Sequence, residues 1–263
     1  MPTVTSADGT TIAHDVLGDG PAVILVDGAL CHRTSGPMGP LGALLAKDLT
    51  VYRYDRRGRG ESTDTAPWSA QREVEDLQAL LAAAGGSAVV YAISSGVALA
   101  LAAAAVTPGI TGLVLYEPPY LGEQEDGERS ARYTADLRSA LNAGDRDHAL
   151  TLFLSRVGTP APMIEQLRGG PGWPMLIAVA PTLAYDDALL TGGRMPRDVA
   201  ARVSVPALVV AGGASPVPLR EAARRTAEAL PHGRFRVLDG QTHDVAPEAV
   251  APLVIDHVRA LAT

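Results

Sequence analysis

The chain has 263 residues, 47% hydrophobic and 19% charged, so it can bury a sizeable core and wholesale disorder is excluded. A net charge of −7 without a long Lys/Arg run argues against a nucleic-acid partner. Cys31 is the single cysteine, which excludes an intrachain disulfide and a thiolate metal cluster.

The first residues, Met1-Pro2-Thr3-Val4-Thr5-Ser6, lack the basic and apolar regions of a signal peptide. The longest unbroken apolar run, residues 97–106, is too short to cross a bilayer. A cytoplasmic protein with no membrane partner is the expectation.

Residues 3–6 and 11–17 alternate around Asp8-Gly9, the pattern of an opening β-hairpin. Residues 22–26 form a continuous apolar run of buried-strand type, ending in the loop Asp27-Gly28-Ala29-Leu30-Cys31-His32. A helix is expected over 38–46 and a strand over 50–54. Residues 69–84 form an amphipathic helix with Val74, Leu77, Leu80 and Leu81 on one side and Gly85 as its stop. A strand ending near Ser94, an alanine-rich helix over 96–106 and a strand over 112–116 follow. Residues 118–203 hold no convincing strand, only helical runs such as 130–141 and 148–156 between Gly/Pro-rich joints. Alternation resumes with a strand over 206–211, a helix over 219–230, a strand over 234–238 and a helix over 247–261. The pattern predicts an α/β fold with a mostly parallel central sheet flanked by helices. Its core would comprise residues 1–117 and 204–263, with 118–203 as a helical cap insertion.

The stretch Val89-Val90-Tyr91-Ala92-Ile93-Ser94-Ser95-Gly96-Val97-Ala98 carries the chemistry. A β-type run climbs to Ser94, with Ala92 two places before and Gly96 two places after, and a helical run follows at once. This is the setting of a nucleophile elbow, where small neighbours let strand and helix backbones approach. A buried strand ending in a serine helix cap would read similarly. Ser95 fits the nucleophile position less well, because Ile93 and Val97 flank it.

A serine nucleophile needs a base, an orienting acid and an oxyanion hole. His243, in the loop after the last predicted strand, is the candidate base. His14, His148, His232 and His257 read as surface or structural residues. His32 either lines the pocket or caps the following segment. The oxyanion donors would be the backbone N–H of Ser95 and that of Ala29, with Leu30 second to Ala29.

The segment Asp55-Arg56-Arg57-Gly58-Arg59-Gly60-Glu61-Ser62 resembles the Asp-x-Arg-Gly-x-Gly-x-Ser signature of the α/β-hydrolase fold family. The elbow, the glycine loop after the first buried strand, the late histidine and the position of the insertion are also similar to that family. The resemblance runs from about residue 12 to the C-terminus. It implies the α/β-hydrolase fold and a structural role for the Asp and Arg of the signature.

One position departs from the pattern. The family's acid is usually an Asp after the strand that follows the cap, where this chain has Ser215. Glu117, directly after the strand over 112–116, offers a carboxylate next to the elbow strand, an arrangement similar to that of certain haloalkane dehalogenases. The alternative for Glu117 is a rim carboxylate. Asp239 and Asp244 are fallback acids, and Asp27 reads as a brace of its loop. No HExxH, CxxC or phosphate-loop pattern is present, so neither metal nor cofactor is expected.

Aromatic residues make up only 4% of the chain, yet several fall in the insertion, among them Trp173 and Tyr185. They suggest a lid over an apolar pocket or the cap's own small core. The expected partner is a small, partly apolar substrate, which Leu30, His32, Trp173 and Tyr185 would contact. The leading expectation is a cofactor-independent serine hydrolase of a small carboxylic ester or thioester. One rival is a C–C lyase, cyclase or decarboxylase using His243 as acid/base. Another is a catalytically silent ligand-binding protein, for which the missing Asp at position 215 speaks.

Overall fold

A computed structural model describes residues 2–122 and 127–261. Its eight strands form one sheet in the order β1-β2-β4-β3-β5-β6-β7-β8. β1 (Thr3–Thr5) and β2 (Thr11–Leu17) are the antiparallel hairpin expected around Asp8-Gly9. β2 joins β4 (Thr50–Tyr54) antiparallel, and β3 (Ala22–Val26), β4, β5 (Ala88–Ile93), β6 (Ile110–Tyr116), β7 (Ala207–Gly212) and β8 (Gly233–Leu238) run parallel.

Helices cover both faces, which is why β3 and β5 are near-continuous apolar runs. Ile24 and Val26 of β3 pack into one core, while Val23 and Leu25 pack into the other. The first core holds α2 (Ala70–Ala83) and α3 (Gly96–Ala104); the second holds α1 (Met38–Leu45) and the C-terminal α11 (Pro247–Leu261). The helix α2 presents Val74, Leu77, Leu80 and Leu81 to the core, as its periodicity requires. α3 stops two residues short of the expected end, before Thr107-Pro108, because proline disfavours the α-conformation in the residue before it.

Between β6 and β7, among the described residues, the chain is helical. It contains α4 (Gly127–Asn142), α5 (Arg146–Arg156), α6 (Ala161–Arg168), α7 (Trp173–Val179), α8 (Leu183–Leu190) and the short α9 (Arg197–Ala200). Leu137, Leu150, Leu154, Ile164, Trp173 and Leu183 give this segment a hydrophobic cluster of its own. α10 (Val217–Ala229) links β7 to the edge strand β8. No helix of the described residues is long and apolar enough to cross a membrane.

Candidate active site

The loops after β3, β5, β6 and β8 converge at the C-terminal ends of the parallel strands, where open α/β sheets bind ligands. The backbone is strained at this place. Four non-glycine residues among those described have a positive φ, and three of them are Leu30 at +62°, Ser94 at +56° and Glu117 at +47°. Such conformations cost about 1–3 kcal/mol each and persist only where the surroundings enforce them.

The strain at Ser94 has a clear mechanical origin. β5 is buried along its whole length and passes into α3 within two residues. Ser94 is held by its N–H, which donates to the Tyr116 carbonyl at 2.9 Å. Gly96 lies so close to the end of β3 that a Cβ there would sit 2.7 Å from the Asp27 carbonyl oxygen and 2.8 Å from that of Val26. Gly28 is also confined, since an added Cβ would meet Ser94 Cβ at 3.0 Å. The Gly28-Ala29 peptide is thus pressed against the serine.

Glu117 is completely buried, and both of its oxygens are engaged. Oε2 lies 2.8 Å from His243 Nδ1, and Oε1 accepts the Gly212 N–H at 2.8 Å. Burial pushes the carboxyl pKa up. The hydrogen bond with His243, the nearby Ser215 hydroxyl and the Gly212 N–H outweigh that and hold it below the ordinary carboxylate range. Ser215 Oγ is itself buried and makes no hydrogen bond of good geometry, so its help is that of a nearby dipole. At this position the chain carries a hydroxyl beside a carboxylate supplied from β6.

The His243 loop is anchored from below. The Tyr116 hydroxyl donates to the Thr242 carbonyl at 2.5 Å, and the Ala214 N–H donates to the Gln241 carbonyl at 2.9 Å. The Gln241 side chain accepts the Ala246 N–H at 2.9 Å. Only glycine fits at position 212, where a Cβ would lie 2.3 Å from the Gln241 carbonyl oxygen.

The signature loop after β4 is structural, as its motif implies. Asp55 accepts the Glu61 N–H at 2.9 Å and both the backbone N–H and the Nε of Arg33. Arg57 pairs with Asp76 and Asp8. Arg56 and Arg59 reach the other way, into the site. Arg56 holds Glu73 with two nitrogens and donates through Nη1 to Asp186 of α8 at 2.7 Å. Arg59 donates to Asp186 at 2.6 Å and also to the Gly28 carbonyl. The Ser95 hydroxyl donates to the same Asp186 carboxylate at 2.8 Å. Burial raises the Asp186 pKa, and the two guanidiniums with the Ser95 hydroxyl bring it below its ordinary value.

Between the sheet and the helical segment lies a cavity of about 370 Å³. Ala29, Ser94, Ser95 and His243 line it from the sheet side, and Tyr133, Phe153, Leu183 and Leu190 line it from the helices. A second cavity of about 380 Å³, beside Pro206, His232 and His257, opens at the opposite ends of β7 and β8 and holds none of these groups. Among the described residues no group of three or more His, Cys, Asp or Glu side chains could hold a metal ion.

Four residues expected at the substrate are placed elsewhere. Trp173 is buried in the helical segment, with Nε1 on Asp147 at 2.8 Å and Arg168 over its ring. Tyr185 stacks on Trp68 at 4.6 Å and donates to Asp64. His32 closes its own turn, with its N–H on the Ser35 carbonyl and Nδ1 3.0 Å from Thr34 Oγ1. Leu30 packs against the hydrophobic cluster of the helical segment rather than lining the cavity. Tyr133, Phe153 and Asp186 take their places in the wall, and only the helix packing could reveal them.

Asp27 braces its loop through its main chain, its carbonyl accepting from Arg56 at 3.4 Å. Burial drives its carboxyl up to about 7 despite the nearby Arg59 and Arg56, and Oδ1 has no hydrogen-bond partner. Neither Asp239 nor Asp244 takes the acid's place, because His243 Nδ1 is held by Glu117.

Comparison with known proteins agrees with this architecture. The sequence model of the alpha/beta hydrolase family matches residues 23–253. An alpha/beta hydrolase from Sphaerobacter thermophilus is 43% identical, superposes with a TM-score of 0.87, and the match covers 97% of this chain and 99% of that one. A thermophilic esterase from Thermogutta terrifontis shares the fold at 21% identity and a TM-score of 0.74, covering 100% of this chain and 99% of that one. An esterase from Rhodococcus sp. does so at 20% identity and a TM-score of 0.68, over 99% and 98%. A comparison with curated proteins found no match. A match over most of the sequence, and 43% identity across nearly the full length of a solved hydrolase, mean that this chain belongs to the alpha/beta hydrolase family.

Proposed function

We propose that this protein is a cofactor-independent serine hydrolase acting on a small carboxylic ester or thioester, with residues 118–203 as a cap over the site. Ser94 Oγ attacks the carbonyl carbon and passes its proton to His243 Nε2. Glu117, on Nδ1, fixes the tautomer and stabilises the imidazolium that forms. The carbonyl oxygen becomes an oxyanion between the N–H groups of Ala29 and Ser95. His243 returns the proton to the departing alkoxide or thiolate. Water then attacks the acyl-serine and gives its proton to His243, which passes it to the departing Ser94 Oγ, releasing the acid and free Ser94.

The observation that carries this reading is the 2.8 Å contact between buried Glu117 and His243 in the wall of the cavity that Ser94 also lines. The cavity volume of about 370 Å³ suits a small substrate, and the Tyr133, Phe153, Leu183 and Leu190 side chains suit an apolar acyl group. Glu117 also weighs against the silent-protein reading, because it offers His243 a carboxylate where Ser215 has none.

The test is a panel of p-nitrophenyl esters and acyl thioesters together with a fluorophosphonate probe. Wild type should turn over short-chain members and be labelled at Ser94, and Ser94→Ala should lose both. Failure to hydrolyse any member of the panel, with a non-hydrolytic activity that depends on His243 but survives Ser94→Ala, would favour lyase-type chemistry instead.

A further inference from the structure

The helical segment does more than enclose the cavity, because one of its side chains is tied to the groups assigned here as oxyanion donors. Asp186 is 2% exposed, and its two oxygens accept from three partners, Ser95 Oγ, Arg56 Nη1 and Arg59 Nη2. Two of these partners lead to the donors. Ser95 carries one donor on its own backbone. Arg59 leads to the other through the Gly28 carbonyl, which accepts from its Nη1.

That carbonyl and the Ala29 N–H belong to one peptide unit. In a trans peptide the C=O and N–H point in opposite directions. A guanidinium on the Gly28 oxygen therefore turns the Ala29 N–H away from Arg59, and it strengthens that N–H as a donor by polarising the amide. Arg59 further steadies the loop through the Cys31 carbonyl at 3.3 Å, and Arg56 does so through the Asp27 carbonyl at 3.4 Å. Charge within the cluster balances, with Arg56 and Arg59 against Glu73 and Asp186. Donors fixed in advance are what make an oxyanion hole effective, since nothing need reorganise as charge develops.

We propose that Asp186 is a positioning residue for the oxyanion hole: through Ser95 and Arg59 its carboxylate aligns both backbone donors, so that catalysis depends on a residue of the cap. The inference rests on the serine-hydrolase reading above and adds to it a residue that takes no part in the proton transfers.

Ser95→Ala and Asp186→Asn test it, measured by kcat and KM on a p-nitrophenyl ester per active site titrated with fluorophosphonate. A second readout is inhibition by an alkyl boronic acid, which forms a tetrahedral adduct on Ser94, set against a ground-state competitor such as the matching alcohol. Ser95→Ala keeps the backbone N–H and removes only the hydroxyl, so it should fold even where Asp186→Asn does not. Expected are a fall in kcat of about tenfold for Ser95→Ala and up to about a hundredfold for Asp186→Asn, short of losing a donor outright. The boronic acid should weaken by the same factor, with KM and alcohol binding within about twofold. A merely structural role would reduce the number of titratable sites and leave kcat per site and boronic acid affinity unchanged. That result, in a protein whose Ser94→Ala variant is inactive, overturns the inference alone. Esterase activity surviving in Ser94→Ala overturns the serine-hydrolase reading as well.

Discussion

Replacing Glu117 by glutamine removes one charge and almost no volume, and the structure determines what happens next. The Gly212 N–H donates to Oε1, so the new side-chain amide must place its oxygen there. Its NH2 group then takes the place of Oε2, 2.8 Å from His243 Nδ1. Nδ1 has to accept, which puts the imidazole proton on Nε2, the nitrogen that should receive the Ser94 proton. The opposite orientation sets the NH2 against the Gly212 N–H and leaves buried donors unpaired, at about 1–3 kcal/mol.

The lost charge adds to this. A carboxylate about 4 Å from an imidazolium is worth about 4 kcal/mol at an effective dielectric near 20, or about three decades in rate. The His243 side chain is 47% exposed, so solvent trims that figure, while the tautomer penalty restores part of it. The expected fall in kcat is on the order of 10³-fold. KM should hardly move, because Glu117 is fully buried and does not line the cavity. Steady-state kinetics on a p-nitrophenyl ester measure the loss, and circular dichroism shows that the variant is folded. A folded Glu117→Gln protein within about tenfold of wild type would refute the assignment of the acid.

Three further outcomes are expected. Ser215→Asp in the Glu117→Gln background should restore at least about tenfold of the lost turnover, because Ser215 is buried beside the carboxylate it would replace; no gain in kcat argues against a shared acid position. Asp27 is raised from 3.8 to about 7, so the native state favours its protonated form; stability is lost as pH rises from about 4 to 7 and stays low above that. Asp27→Asn should therefore gain about 4 kcal/mol on wild type at pH 8 and less than half of that at pH 5 in urea denaturation, and a pH-independent difference would sink the idea. Gly96→Ala sets a Cβ 2.7 Å from the Asp27 carbonyl oxygen and should lower stability by about 1–3 kcal/mol together with turnover, whereas an unchanged midpoint would mean that the elbow is looser than its geometry.

Those features set by local chain chemistry were readable in the sequence. Period-two and apolar runs located the strands, and Gly/Pro punctuation bounded the helices. Ser94 stood out because an elbow demands small residues two places either side of it, and Gly96 meets that demand against two carbonyl oxygens. The approach of Glu117 to His243 could be expected from its place after the strand beside the elbow strand together with the resemblance to certain haloalkane dehalogenases, though placement alone left a rim carboxylate open. What failed was the packing of the helices between β6 and β7, whose order and facing the strand pattern does not determine. Trp173 and Tyr185 stood out because aromatics are scarce, but scarcity does not say which face of a helix a ring occupies. Trp173 faces the segment's own cluster and Tyr185 faces Trp68.

Asp186 shows the same limit more sharply. It is 91 residues from Ser95 and 127 from Arg59, and nothing in Tyr185-Asp186-Asp187 distinguishes it from a surface acid. Yet an unpaired Arg56 or Arg59 at 1% exposure would be prohibitive, because a buried charge without a partner costs several kcal/mol. Glu73 can neutralise only one of them. The sequence therefore carried an imbalance, two inward arginines of the signature loop against one acid of α2, which could be resolved only from outside the core. The second acid comes from the segment between β6 and β7, and it also accepts from Ser95, the residue that follows Ser94. In this protein the demand for charge balance under the sheet edge and the demand for a rigid site above it are met by one carboxylate. A helical segment that swung away would leave Arg59 without a carboxylate partner and Arg56 with Glu73 alone.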